Sequence, residues 1–342
     1  ATLIVYAPGY VSKTYGQSYT FNGATQFSSA GLVNSDTITS VSLASPGTAG
    51  TADKGLYTIT ASNAQGSGLS NYNVYYQTGT LQVMPAALTI TANSFGKTYG
   101  QSYTFAGSEF ATSGLVNGDT VSSVSLASLG AAGTANKGLY TITGSNAQGS
   151  GLSNYSITYN SGTLTVNPAA LTITANDQSK TYGQTASLGS SAYTITGTLY
   201  NSDSVSSVTL ASTGAAASAT VAGSPYAITA SNAQGSGLSN YAITYADGAL
   251  TVNKAALTIT ANDQTKTYGQ TASLGSSAFT VSGTYYNGDY ISSVNLASLG
   301  AAGTSAAGNY AIVASNAAGT GAGNYAITYV NGALTVNKAT LV

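Results

Sequence analysis

Lys-Thr-Tyr-Gly stands four times in this chain, at 13–16, 97–100, 180–183 and 266–269, and its spacing constrains the fold more than any other feature. The intervals are 84, 83 and 86 residues. A second marker, Asn-Tyr, keeps the same rhythm at Asn71-Tyr72, Asn154-Tyr155, Asn240-Tyr241 and Asn324-Tyr325. A period near 84 is too long for a solenoid rung, which runs about 20–50 residues. It is long enough for each repeat to enclose a small core of its own. The 342 residues therefore read as four domains in tandem, 1–86, 87–169, 170–255 and 256–339, with 340–342 starting a next strand or repeat. The chain opens on Ala with no signal-like segment and reads as a mature or excised piece.

Within a repeat the pattern is that of strands. In copy two, 87–93 alternates Leu88, Ile90 and Ala92 with Thr89 and Thr91, the signature of a half-buried strand. Further strands are expected at 102–105, 121–128 and 139–145. The segment 154–166 reads as two alternating strands around a short turn. That turn holds a glycine in every copy (Gly79, Gly162, Gly248 and Gly332), as expected if it needs positive φ. The Gly-rich stretch 62–72 reads as a loop, with room at most for one helical turn. About six short strands in a repeat give an all-β chain of four tandem small β-sandwich (Ig-like) domains, with β-grasp-like domains as the alternative. Junctions such as Met84-Pro85-Ala86 and Asn253-Lys254-Ala255 are short, so the repeats are expected to form a fairly stiff rod.

Composition removes whole classes of function. Charged residues are 5% of the chain, the formal net charge is −1, and His and Cys are absent. Eight basic residues leave no footprint for nucleic acid. Thiol nucleophiles, His-based triads and zinc sites have no side chains to build them. No disulfide can staple the fold. No cofactor is implied, and the acids are too sparse for a calcium cage. No apolar run approaches the ~18 residues of a transmembrane helix.

The ordered motifs resemble one family. Leu171-Thr172-Ile173-Thr174-Ala175 is followed by Tyr182-Gly183 and then Asn201-Ser202-Asp203. The last triplet is Asn117-Gly118-Asp119 in copy two and Asn287-Gly288-Asp289 in copy four. Ser224-Pro225-Tyr226-Ala227-Ile228, Asn240-Tyr241-Ala242-Ile243-Thr244-Tyr245 and Gly248-Ala249-Leu250-Thr251-Val252 complete the set. This resembles the MBG-type (YGX-type) repeat domain of bacterial surface and two-partner-secreted, filamentous-haemagglutinin-like exoproteins. All four copies carry the set, without the proline often found shortly after Tyr-Gly. The resemblance implies an extracellular location at the bacterial cell surface and an adhesin-like or structural role. It brings no ligand and no catalytic residues.

The candidate residues are the signature itself: Lys13, Tyr15, Gly16, Asp36 and Tyr72 in copy one, then Lys97, Tyr99, Gly100, Asp119 and Tyr155 in copy two. Copy three has Lys180, Tyr182, Gly183, Asp203 and Tyr241, and copy four has Lys266, Tyr268, Gly269, Asp289 and Tyr325. Each Lys reads as a partner of the turn Asp or as a solvated charge, with a Lys–Asp or Lys–Asn isopeptide crosslink as the sharper alternative. The tyrosines read as core plugs with their hydroxyls at the rim. The sharper alternative is an aromatic platform for sugars, for which Tyr10, Tyr76, Tyr285 and Tyr290 are the better exposed candidates. The expected function is a non-enzymatic stalk, fibre or self-assembling filament or layer. Self-association would be head-to-tail or lateral, or the chain would continue into further repeats. The alternative is an adhesin module that recognises a glycan or a cell-surface protein.

Overall fold

The structure is a computed structural model that describes residues 1–340. The expected further strand at 340–342 lies outside the described residues beyond Thr340. The chain divides into two compact units, one from Ala1 to Pro168 and one from Ala169 onward, each holding two copies of the repeat.

Copy one shows the plan. Its strands are β1 (Thr2–Tyr6), β2 (Tyr10–Thr14), β3 (Ser28–Ala30), β4 (Thr37–Ala44), β5 (Gly55–Ser67), β6 (Asn73–Gln77) and β7 (Gly79–Met84). They form a three-stranded sheet, β3-β1-β6, and a four-stranded sheet, β2-β7-β5-β4. Alternation decides the packing. Leu3 and Val5 of β1 meet Ile59 and Ala61 of β5 and Leu81 of β7 in one buried core between the sheets. Burying a Leu or Ile of this kind stabilises by about 1.5–3 kcal/mol. The other three copies repeat both sheet orders. The two-sheet, all-β architecture agrees with the sandwich expectation. Among the described residues helical structure is confined to three-residue 3₁₀ turns, so the β-grasp alternative has no helix to build on.

Two pairings depart from a purely antiparallel sandwich. β1 runs parallel to β6, with Leu3 opposite Val74, and β2 runs parallel to β7, with Lys13 opposite Val83. Each repeat thus has seven strands rather than about six.

The segment 154–166 corrects the expectation of paired strands around a tight turn. Tyr155–Asn160 pairs in parallel with Ala86–Ala92, whereas Gly162–Asn167 pairs with Gly138–Ser150 and Phe95–Thr98 in the other sheet. The turn is an arch between sheets. Its glycine does not have positive φ. A Cβ on Gly162 would stand 2.6 Å from the carbonyl oxygens of Ala92 and Asn93, so close backbone approach is what demands glycine.

Two further expectations fail. Residues 102–105 are irregular; Tyr103 and Phe105 instead pack with Phe95, at ring-centroid distances of 4.6 and 5.8 Å. Most of 62–72 is strand, because a bulge with Asn63 at φ 49° lets β5 continue to Ser67 before a 3₁₀ turn at Leu69–Asn71.

Candidate functional site

The second strand of each repeat carries the signature lysine, and the strand turns that side chain inward. Lys13, Lys97, Lys180 and Lys266 are only 6–7% exposed. Lys97 Nζ donates to the carbonyl oxygens of Gln101 at 2.5 Å and Ala132 at 2.6 Å. Lys13 bonds Gln17 and Ala49, Lys180 bonds Gln184 and Ala216, and Lys266 bonds Gln270 and Ala302 in the same way. The expected Lys–Asp pair and the solvated lysine are both corrected. The ammonium ties two loops together through main-chain carbonyls, where a crosslink needs a side-chain carboxyl or carboxamide. Burial pushes the Lys13, Lys97 and Lys180 ammonium groups below the usual lysine range.

The tyrosine that follows leaves the strand fixed at its backbone. Tyr15 N–H bonds the carbonyl of Met84, and Tyr182 N–H bonds that of Asn253, both at 2.8 Å. Gly16 and Gly183 then take φ of 87° and 84°, which turns the chain away and leaves the ring free to project. The ring does not join the main core cluster of its own repeat. Tyr15 lies in one buried cluster with Val83 at the end of its own repeat and with Leu88, Ile90 and Tyr155 of copy two, and Tyr182 lies in one with Val252 of its own repeat and with Leu257, Ile259 and Tyr325 of copy four. This corrects the reading of these two tyrosines as plugs of their own domains.

The receiving surface is made from the other half of the signature. Tyr15 donates its hydroxyl to Asp119 Oδ2 at 2.9 Å, and Tyr155 donates to the same oxygen at 2.8 Å. The two rings meet edge to face at 5.5 Å. Tyr182 and Tyr325 repeat the arrangement on Asp289, at 2.8 and 3.0 Å with rings 5.6 Å apart. In every copy the Asn-Tyr tyrosine binds its own Asp: Tyr72 to Asp36 and Tyr241 to Asp203, both at 3.0 Å. Tyr99 is 2% exposed and Gly100 takes φ of 85°. Tyr268 differs from the other three tetrad tyrosines, being 50% exposed beside Gly269 at φ 92°.

Asparagines complete the junction. Asn154 Oδ1 accepts from the Lys54 backbone N–H at 2.9 Å, its Nδ2 donates to Asp53 at 2.8 Å, and Asn117 Nδ2 donates to the Gly50 carbonyl at 3.0 Å. In the second unit Asn324 accepts from Val221 N–H, and Asn287 donates to Ala217. Asn154 and Asn324 were legible as markers of the period but not as contacts. Their signal was an amide retained at a strand entry, where apolar or β-branched residues fit better. The extra tyrosines divide: Tyr10, Tyr76 and Tyr290 are exposed, whereas Tyr285 packs edge to face on Tyr325 at 6.1 Å.

Electrostatics follow from this geometry. Burial, then the Asp289 carboxylate, pushes the Tyr325 phenol up to about 12. Burial and Asp119 raise Tyr155, and burial and Asp289 raise Tyr182. At Tyr155, Tyr182 and Tyr325 the shift favours the neutral phenol, the form that donates to the carboxylate. Among the described residues no three acidic side chains gather into a metal-binding group, and no helix is long and apolar enough to cross a membrane.

These features define a protein of tandem two-sheet β domains keyed to one another, within each compact unit, by a tyrosine from one repeat and an Asp-Tyr-Asn surface on the next. The chain belongs to the MBG domain (YGX type) family, whose model matches residues 3–82, 88–165, 171–251 and 257–335. None of the curated proteins compared with the chain matches it. Among solved structures, Drosophila N-cadherin EC1-4 is similar at 8% identity and a TM-score of 0.19, over 82% of this chain and 83% of that one. The Bacillus anthracis TIE protein is similar at 7% identity and a TM-score of 0.20, over 95% and 73%. The M60 catalytic domain with CBM51 domains of Clostridium perfringens ZmpB follows at 8% identity and 0.14, over 92% and 38%.

Proposed function

We propose that this chain is a non-enzymatic, load-bearing segment of an extracellular bacterial surface protein, in which tandem repeats act as coupled spacers. The observation that carries this reading is the use of the signature. Tyr15, Asp119, Tyr155 and Asn154 join one repeat to the next rather than lining a cleft. Low charge removes most electrostatic repulsion between neighbouring chains, which suits dense packing at a surface. Antibody labelling of intact, producing cells tests the location. Labelling without permeabilisation is expected; signal that appears only after permeabilisation would overturn the extracellular reading.

An adhesin role is the second reading. Leu129 and Leu139 are 88% and 75% exposed and flank a shallow apolar cleft with Tyr140; Leu299 and Val313 flank its counterpart in copy four. Such a surface suits a protein partner better than a sugar. Attachment of the purified chain to cells, lost in Leu129→Ser with Leu139→Ser, is the outcome this reading requires.

A further inference from the structure

The outward face of the three-stranded sheet in copy one departs from its counterparts. Leu3 and Val5 of β1 enter the core, so Ile4 and Tyr6 face outward; Val74 of β6 packs inward, so Tyr75 faces outward beside them. Register sets Tyr75 opposite Ile4 and Gln77 opposite Tyr6, with Ser28 of β3 on the other side of Tyr6. Tyr6 and Tyr75 are thus diagonal neighbours, rooted roughly 8 Å apart on one flat face. They are 38% and 57% exposed. The counterparts of Ile4, Tyr6 and Tyr75 are all threonine: Thr89, Thr91 and Thr158 in copy two, Thr258, Thr260 and Thr328 in copy four. Thr158 and Thr328 are exposed although another repeat precedes each within its compact unit. A preceding repeat therefore leaves this face open, and the following repeat leaves Tyr75 itself open. The exposure belongs to the face and not to its place in the chain.

We infer that this face binds a neutral oligosaccharide, which stacks across Tyr6 and Tyr75 and hydrogen-bonds to their hydroxyls, to Ser28 and to the Gln77 amide. The chemistry of the face selects the ligand. A pyranose ring has an apolar C–H face and a rim of hydroxyls, and a tyrosine has an apolar ring and a polar tip. A span of roughly 8 Å between the two tyrosines suits a short chain of linked sugars. The charged side chains of copy one, Lys13, Asp36, Asp53 and Lys54, all lie outside β1, β3 and β6, so nothing on the face favours an anionic or cationic ligand. Size argues the same way. A stable protein interface buries about 800 Å² on each partner, whereas the departure from threonine amounts to three side chains. The neighbouring exposed tyrosines serve the fold instead. Tyr10 donates to Gln82, and Tyr76 accepts the Ala64 N–H at 2.9 Å, a bond that Tyr159, Tyr245 and Tyr329 repeat in the other copies. The site stands beside the load-bearing role and does not rest on it.

Titration calorimetry of the full chain with cellohexaose, mannohexaose and chitohexaose tests it, with an oligogalacturonate as the charged control. One molecule of at least one neutral sugar is expected to bind per chain, with a Kd of about 1 mM or below. Tyr6→Thr with Tyr75→Thr installs the residues that copy two already folds with, and is expected to weaken binding at least about tenfold. The reverse transplant, Thr89→Ile with Thr91→Tyr and Thr158→Tyr, is expected to add a second site per chain; if it fails to fold, the threonine variant alone decides. A folded transplant with unchanged stoichiometry would place recognition elsewhere and overturn the proposal. Binding that survives the threonine variant, or an oligogalacturonate that binds as tightly, would overturn it too. So would the absence of binding by all three neutral sugars up to about 10 mM. Surface labelling reads none of these outcomes, so the extracellular reading stands or falls separately.

Discussion

Tyr182 in the third repeat donates its hydroxyl to Asp289 Oδ2 in the fourth, 107 residues away, at 2.8 Å. Tyr325 shares that oxygen and lies edge to face against the Tyr182 ring. Tyr182→Phe removes one charge-assisted hydrogen bond and keeps the ring, so a loss of roughly 1.5–3 kcal/mol is expected in urea unfolding. Tyr182→Ala also removes a buried ring, for roughly 3–5 kcal/mol. The same change at the half-exposed Tyr268 is expected to stay within about 0.5 kcal/mol in dilute solution. Equal costs at 182 and 268 would refute the keyed junction.

Alkaline stability follows from the same phenols. Tyr325 is pushed up to about 12, and Tyr155 and Tyr182 are raised, by burial first and by Asp289 or Asp119 next. An unfolded tyrosine ionises near ~10. The folded state favours the neutral form, so its contribution is fully present below ~10 and is lost as the pH rises toward 12. The buried Lys13, Lys97 and Lys180 act with the opposite sign and earlier. Their lowered values mean the unfolded chain binds more protons, so stability rises until lysine itself has titrated near ~10.4. Unfolding should therefore begin only above ~10, with tyrosinate absorbance lagging in a late fraction. Phenols that all titrate together near the ordinary value would contradict this.

The sequence made some of this legible and concealed the rest for physical reasons. Strict alternation in 87–92 reports burial on one face, and Leu88, Ile90 and Ala92 are buried. Alternation does not name a strand's partner. Residues 154–166 therefore looked like two strands paired with each other, although they belong to different sheets. The strand Gln178–Thr181 gave no hydrophobic signal because its buried side chain is Lys180. The family signature was visible as a period, yet its division between neighbouring repeats was not. A tyrosine's local context is the same whether its ring enters its own core or the next one.

Lys97 offers a test of why a charge is buried at all. Its ammonium satisfies the carbonyls of Gln101 and Ala132. Lys97→Met keeps the aliphatic stem and removes the cost of burying a charge, but it leaves both acceptors without that donor. Unsatisfied buried acceptors cost about 1–3 kcal/mol, so the variant is expected to be destabilised by that order. Its loops at 101 and 132 should also exchange amide hydrogens faster. A more stable variant would show that desolvation of the lysine outweighs the bonds it makes.

Glycine at the arch and glycine at the Asn-x-Asp turn have different causes, and substitution separates them. Gly118 takes φ of 78° with nothing within 4 Å of a Cβ, and the equivalent Ser35 and Ser202 adopt φ of 62° and 65°. Gly118→Ser therefore meets only the left-handed backbone cost, roughly 1–2 kcal/mol. Gly162 has no such conformation, but its Cβ would stand 2.6 Å from two backbone oxygens, Ala92 O and Asn93 O. Neither oxygen lies on a side chain that can swing aside, so the first strand and the arch must separate. Gly162→Ala is expected to cost about 3 kcal/mol or more, at the upper end of overpacking. Urea unfolding of the two variants side by side decides the matter: a milder loss at 162 than at 118 would mean that the arch glycine is there for flexibility and not for close approach.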